Sequence, residues 1–381
     1  MNTGVFANLD LTPNPIERAR LRATARADFL DLTSSNPTQQ GLLFPPELLQ
    51  RAAAGYWATR RYTPDPRGHY LARTAIAAYY AARKPALTLQ ADAIFITAST
   101  SEAYSLLFAL LADPGDNLLA PDVTYPLFEY LAELRGVALR TYRLDEARNW
   151  QIDPASLLAA ADAQTRAVLL ISPHNPTGAI IQHALPALTQ LGLPLICDEV
   201  FAPFTYAIPQ TPPLAAFHPE LPVFTLNGIS KLFALPDLKL GWIALNPPAA
   251  ERYGTRLELI NDTFLGANSL TQTLLPHLFM DGGAFIDAMV ARVRGNLDYA
   301  LARFAHHPTI SARPPDGGYY LFPRIRSDMD EEALVISLLD HGLLTHPGYF
   351  YGEPPGTHLM LSALTEPERF RRGVERMASH L

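Results

Sequence analysis

Residues 223–245 read Val-Phe-Thr-Leu-Asn-Gly-Ile-Ser-Lys-Leu-Phe-Ala-Leu-Pro-Asp-Leu-Lys-Leu-Gly-Trp-Ile-Ala-Leu. Two apolar runs, Val223 to Leu226 and Leu238 to Leu245, flank the pair Ser230-Lys231. The first run, closed by Asn227-Gly228, reads as a short buried strand. Lys231 therefore stands just past a strand end, among small and apolar neighbours. An amine there loses part of its hydration and becomes a nucleophile, the form that condenses with a carbonyl. The alternative is an ordinary surface lysine, and the companions upstream decide between the two.

Working outward, short apolar runs alternate with longer helical patterns from about residue 92. Strands are expected at Ala93 to Thr97, Asn117 to Ala120, Val137 to Tyr142, Val168 to Ile171, Leu193 to Cys197, Val223 to Leu226 and Gly241 to Leu245. Helices are expected at Glu102 to Leu111, Tyr130 to Arg135 and Ala284 to Phe304. Such alternation predicts an α/β fold, a mainly parallel sheet covered by helices on both faces. The division read from this pattern is a large domain over residues 46–280. A smaller α+β domain combines residues 1–45 and 281–381, with strands at Gly318 to Pro323 and His358 to Leu361.

Composition narrows the function. With 381 residues, 48% hydrophobic and 18% charged, the chain can bury a sizeable core and is not disordered. A net charge of -7 argues against a nucleic-acid surface, and the basic stretch Arg18 to Arg26 reads as a solvated helix face. One cysteine, Cys197, allows neither an internal disulfide nor a cysteine-rich metal site, so no metal is expected. No apolar run approaches the roughly twenty residues needed to span a bilayer. The start, MNTGVFANLD, lacks the form of a signal peptide. A cytoplasmic protein is expected.

In open α/β sheets ligands sit at the carboxyl ends of strands. Ser99-Thr100-Ser101 follows the first expected strand and enters a helix, where hydroxyls and free amides can hold phosphate; a plain helix cap is the alternative. Asn175 lies in Ser172-Pro173-His174-Asn175-Pro176-Thr177-Gly178, an amide between two turn prolines. Asp198 closes the run Leu193 to Cys197, an acid that needs a cationic partner if buried. A protonated pyridine nitrogen would be one. With Lys231, these residues fit one cofactor, pyridoxal 5'-phosphate.

Three of these motifs, PHNPTG at 173–178, Asp198-Glu199, and SKLFALPDLKLGW at 230–242, resemble the class I/II aminotransferases, fold type I pyridoxal-phosphate enzymes. The resemblance runs from about Leu32 to about Arg376. It implies that Lys231 forms the internal aldimine and shuttles the substrate proton, and that Asp198 keeps the pyridine nitrogen protonated. Asn175 would donate to the ring oxygen and Tyr125 would stack on the ring. Ser99, Thr100, Ser101 and Ser230 would bind the phosphate. Tyr62 would reach the phosphate of a neighbouring subunit, making the active unit a homodimer.

The chain departs from that pattern in three places. Lys239 stands where an arginine usually binds phosphate, which keeps the charge but loses the bidentate fork. Phe201 replaces a tyrosine that donates to the ring oxygen. Met360, in Met360-Leu361-Ser362, replaces the arginine that clamps the substrate carboxylate. Asn36 and His358 are the candidate substrate contacts. His358 lies two residues before Met360, on the same face of an expected strand. Arg67, Arg313 and Arg324 are less well placed. Phe6, Tyr70, Tyr319 and Tyr349 could line an apolar pocket. The function expected is transfer of an amino group from an amino acid to a 2-oxo acid. Alternatives are a lyase or decarboxylase of the same fold, or a non-catalytic effector-binding protein.

Overall fold

Seven of the apolar runs join into one sheet. The structure, a computed structural model, describes residues 4–7 and 9–381. The strands are β1 (Ile94–Thr97), β2 (Asn117–Pro121), β3 (Ala138–Tyr142), β4 (Thr165–Ile171), β5 (Leu195–Asp198), β6 (Val223–Gly228) and β7 (Gly241–Leu245). Their order across the sheet is β1-β7-β6-β5-β4-β2-β3. The pairs β3–β2, β2–β4, β4–β5 and β5–β6 are parallel, while β7 runs antiparallel between β6 and β1. Six strands thus end at one edge of the sheet, and that edge carries the site.

Alternate side chains supply the two faces. Ile94 and Ile96, Val168 and Leu170 pack into one core; Phe95, Leu169, Ile171 and Leu226 pack into the other. Every residue of β1, β2, β5, β6 and β7 is buried, as a sheet covered on both sides requires. Only the edge strand β3 is largely open, and it carries Arg140 and Thr141 outward.

Local chemistry sets the element ends. The helix expected from Glu102 spans Thr100–Leu111, because Ser99 caps it and accepts from the Glu102 amide at 3.0 Å. The helix expected at Tyr130 to Arg135 lies earlier, at Leu127–Glu133, starting directly after Pro126. The strand expected from Gly318 to Pro323 contracts to Tyr320–Leu321. It pairs antiparallel with Leu359–Ser362, which also pairs with His346–Pro347. Leu30–Asp31 pairs in parallel with Leu343–Leu344 and ties the start of the chain to its last third.

Candidate active site

A cavity of about 360 Å³ opens at the carboxyl ends of β1, β4 and β5 and at the turn leaving β6. That volume suits a small molecule, roughly 300–1,000 Å³ being usual. It brings together Ser99, Thr100, Ser101, Tyr125, Asn175, Asp198, Ser230, Lys231 and Lys239. The chain has only three lysines, Lys84, Lys231 and Lys239, and two of them line this one cavity.

Lys231 sits in the helical turn Ile229–Leu232 that follows β6. Its Nζ donates to the Ser35 carbonyl at 3.2 Å and lies 5.9 Å from the Tyr319 ring centroid. Burial lowers its pKa from the ordinary 10.5 to about 8, partly opposed by the Asp198 charge. About a tenth of the amine is therefore unprotonated at pH 7, far more than for an ordinary lysine, and the neutral form is the one that attacks a carbonyl.

Asp198 ends β5 with its carboxylate held on both oxygens. Oδ1 accepts from the Val200 amide at 2.9 Å, and Oδ2 accepts from the Tyr104 hydroxyl at 2.6 Å. Burial raises its pKa; the Tyr104 and Val200 hydrogen bonds and the Lys231 charge pull it back. Behind it the fully buried Glu199 meets Arg83 at 3.2 Å and accepts from the Leu214 amide. Asn227 clamps the same turn through the Glu199 carbonyl at 3.0 Å. Asn175 lies between Pro173 and Pro176, and its buried Oδ1 has no hydrogen-bond partner among the described residues.

The far end of the cavity is the N-terminus of the helix Thr100–Leu111. Its first amides have no acceptor within the helix, and the helix dipole favours an anion there. Ser99 spends its lone pair on the Glu102 amide, which leaves its O–H free to donate. Two glycines let the sheet approach this turn. Gly228 and Gly241 face each other across β6 and β7, and a Cβ on Gly241 would lie 2.8 Å from both the Ser99 carbonyl carbon and the Thr100 nitrogen. Gly241→Ala should cost roughly 1–3 kcal/mol of stability and weaken binding of inorganic phosphate. Thermal melting and phosphate titration of the variant check both.

Several candidates stay outside. His358 is fully buried but points elsewhere: its ring stacks on Phe322 at 4.8 Å and its Nε2 is 3.4 Å from Glu146. His358 does not share the face of Met360 as a strand residue because it makes an isolated bridge to Arg324 and lies before the strand Leu359–Ser362 begins. Asn36 does not line the cavity; it turns back to accept from the amide and hydroxyl of Thr38. Arg67 binds Glu258 at 2.6 Å, and Arg313 and Arg324 both gather at Glu146. Phe6 packs on Tyr130, Tyr319 packs between Phe201 and Phe204, and Tyr70 and Tyr349 are exposed, so none of the four lines the cavity. Tyr62 is 70% exposed.

Met360 is buried opposite His346. Burial holds His346 down at a pKa of about 4, so it adds no charge near neutrality. Phe201 does line the cavity, edge-on to Tyr319 and Tyr320. Three polar lining residues, Ser35, Tyr104 and Tyr320, were not expected from the sequence, nor were apolar ones such as Leu127, Phe128 and Val200. Only Tyr104 carried a signal, lying one helical turn beyond Thr100 and so on its face.

A family model described as aminotransferase class I and II matches residues 27–377. The alanine aminotransferase of Mycobacterium tuberculosis (strain ATCC 25618 / H37Rv) is 27% identical over 380 residues, covering 95% of this chain and 87% of that protein. The glutamate-pyruvate aminotransferase AlaA of Haemophilus influenzae is 27% identical over 384 residues, covering 96% and 94%. Among solved structures, an alanine aminotransferase from Pyrococcus furiosus superposes with a TM-score of 0.88 at 23% identity over 97% of each chain. At that identity the superposition speaks to the fold, which is the fold type I α/β architecture.

Proposed function

The chain belongs to the class I and II aminotransferases and is an aminotransferase, and from that premise we propose that its cavity binds pyridoxal phosphate on Lys231. The observation that carries this reading is one cavity holding a partly desolvated amine, a buried carboxylate and a helix N-terminus. The residues present fit the group. Asn175 lines the cavity and its side-chain nitrogen can donate to a ring oxygen, the buried Asp198 suits a cationic nitrogen, and the turn at residues 99–101 suits a phosphate.

When bound, pyridoxal phosphate supplies a carbonyl that condenses with amines and a ring that accepts the electron pair left on the substrate carbon. The protein's own groups do the rest. Lys231 would anchor the cofactor through Nζ and, as a neutral amine, would take the proton from the substrate Cα and carry it to the cofactor carbon that receives the amino group. Asp198 keeps positive charge at the ring nitrogen. Asn175 would donate from its side-chain nitrogen to the ring oxygen, and Tyr125 would cover a ring face. Thr100, Ser101, Ser99, Ser230 and Lys239 meet the phosphate, with Lys239 acting as a point charge. The donor is an amino acid and the acceptor a 2-oxo acid. Lys231 and Lys239 are the only cations of the described chain that line the cavity. A substrate carboxylate therefore meets the hydroxyls of Ser35, Tyr125 and Tyr320 in place of a guanidinium.

The proposal extends to a cytoplasmic homodimer in which Tyr62 serves the neighbouring site. The exposed Tyr62, Trp57 and Leu71 support that assembly, since large apolar side chains left in water mark contact surfaces. The test of function is spectroscopic. Adding an amino acid to the loaded enzyme should abolish its visible absorbance, and a 2-oxo acid should restore it. Release of ammonia without that cycle would refute the reading in favour of a lyase.

A further inference from the structure

Tyr104 has no part in the chemistry described so far, yet it makes the shortest contact to Asp198. Its hydroxyl donates to Oδ2 at 2.6 Å, and both side chains are buried. The phenol ring is wedged edge-on against Phe128 at 4.7 Å and tilted over Phe108 at 6.0 Å, so it has one orientation. Burial and the neighbouring carboxylate raise the phenol's pKa well above its ordinary value, which keeps the proton on oxygen and makes Tyr104 the donor.

Tyr104 lies four residues after Thr100, on the same face of the helix Thr100–Leu111. That helix presents its first turn to one end of the cavity and the Tyr104 hydroxyl to the acid at the other. We propose that Tyr104 is a positioning residue that acts through Asp198, aiming the carboxylate at the ring nitrogen of the cofactor. One rigid helix then sets the distance between the phosphate end and the nitrogen end. The inference rests on reading the cavity as a pyridoxal-phosphate site.

With Val200 N–H on Oδ1 and Tyr104 O–H on Oδ2, the carboxylate cannot swing about its Cβ–Cγ bond without breaking a bond. The bond from Tyr104 goes to a charged acceptor, the stronger kind of hydrogen bond. Losing it leaves Asp198 free to turn and more basic, so it holds charge at the ring nitrogen less well. A purely structural tyrosine would lack this dependence on the ring nitrogen.

The test uses the full chain and two probes, pyridoxal phosphate and its analogue with carbon in place of the ring nitrogen. Equilibrium dialysis gives the preference of wild-type protein for the first. Tyr104→Phe, which keeps the ring packing, should shrink that preference about tenfold while changing affinity for the analogue less than about threefold. In an Asp198→Asn background the same substitution should leave the preference unchanged. An undiminished preference in Tyr104→Phe overturns the proposal, as does an effect that persists without the Asp198 carboxylate. A wild-type protein that binds pyridoxal phosphate without favouring it over the analogue overturns the role given to the ring nitrogen and this proposal with it. A wild-type protein that binds neither probe overturns the reading of the cavity itself.

Discussion

Lys231→Ala is expected to fold normally, to remain colourless with pyridoxal phosphate, and to lose transamination by about 10³-fold or more. The loss should be this large because one amine serves as both cofactor anchor and proton carrier. Folding should not suffer, for a reason of sign. The folded-state pKa of Lys231 is about 8 against an ordinary 10.5. Between those values the unfolded chain holds more protons, so stability rises with pH through that window. Near neutrality the buried ammonium is a net cost, and the variant removes it along with the hydrogen bond to the Ser35 carbonyl. The same value predicts that wild-type apoprotein captures the cofactor faster as pH rises, with a midpoint near 8. Stopped-flow absorbance follows that capture, and a midpoint near 10.5 would contradict the desolvation argument.

Asp198→Asn is expected to lower turnover by roughly 10²–10³-fold while raising the melting temperature of the apoprotein near neutral pH. The amide keeps the shape, can accept from the Val200 N–H at its oxygen and can turn its nitrogen to donate to the Tyr104 oxygen, but it cannot hold charge at a ring nitrogen. The stability gain follows from the raised pKa of Asp198. A carboxyl whose folded pKa exceeds its unfolded value favours folding while both states are protonated, and that contribution fades as pH rises through the folded pKa. The gain should therefore vanish in acid. Melting curves at neutral and acid pH, together with turnover numbers, separate these effects. Equal loss of stability and activity would mean that Asp198 is a structural residue.

The sheet and the cavity at its carboxyl edge were legible for one physical reason. Each residue stands at or just past a strand end: Ser99 to Ser101 after β1, Asn175 after β4, Asp198 closing β5 and Lys231 after β6. In a sheet of this kind such positions converge whatever the helices do. Residues placed by helix rotation or by distant segments were not legible. Tyr104 reaches Asp198 from 94 positions away, and the Ser35 carbonyl meets Lys231 across 196. His358 shows the converse. Its spacing from Met360 suggested the substrate wall, but pairing with Glu146, 212 residues distant, took it elsewhere. The antiparallel insertion of β7 between β1 and β6 is likewise a matter of pairing that its own apolar run does not encode.

Lys239 provides the sharpest control on the assignment of Lys231, since both line the cavity and Lys84 is the only other lysine in the chain. Borohydride reduction of the loaded enzyme, followed by proteolysis and mass spectrometry, reports which amine carried the cofactor. The account predicts the pyridoxyl mass on the peptide containing Lys231 alone. Labelling at Lys239 or Lys84 with Lys231 unmodified would contradict it.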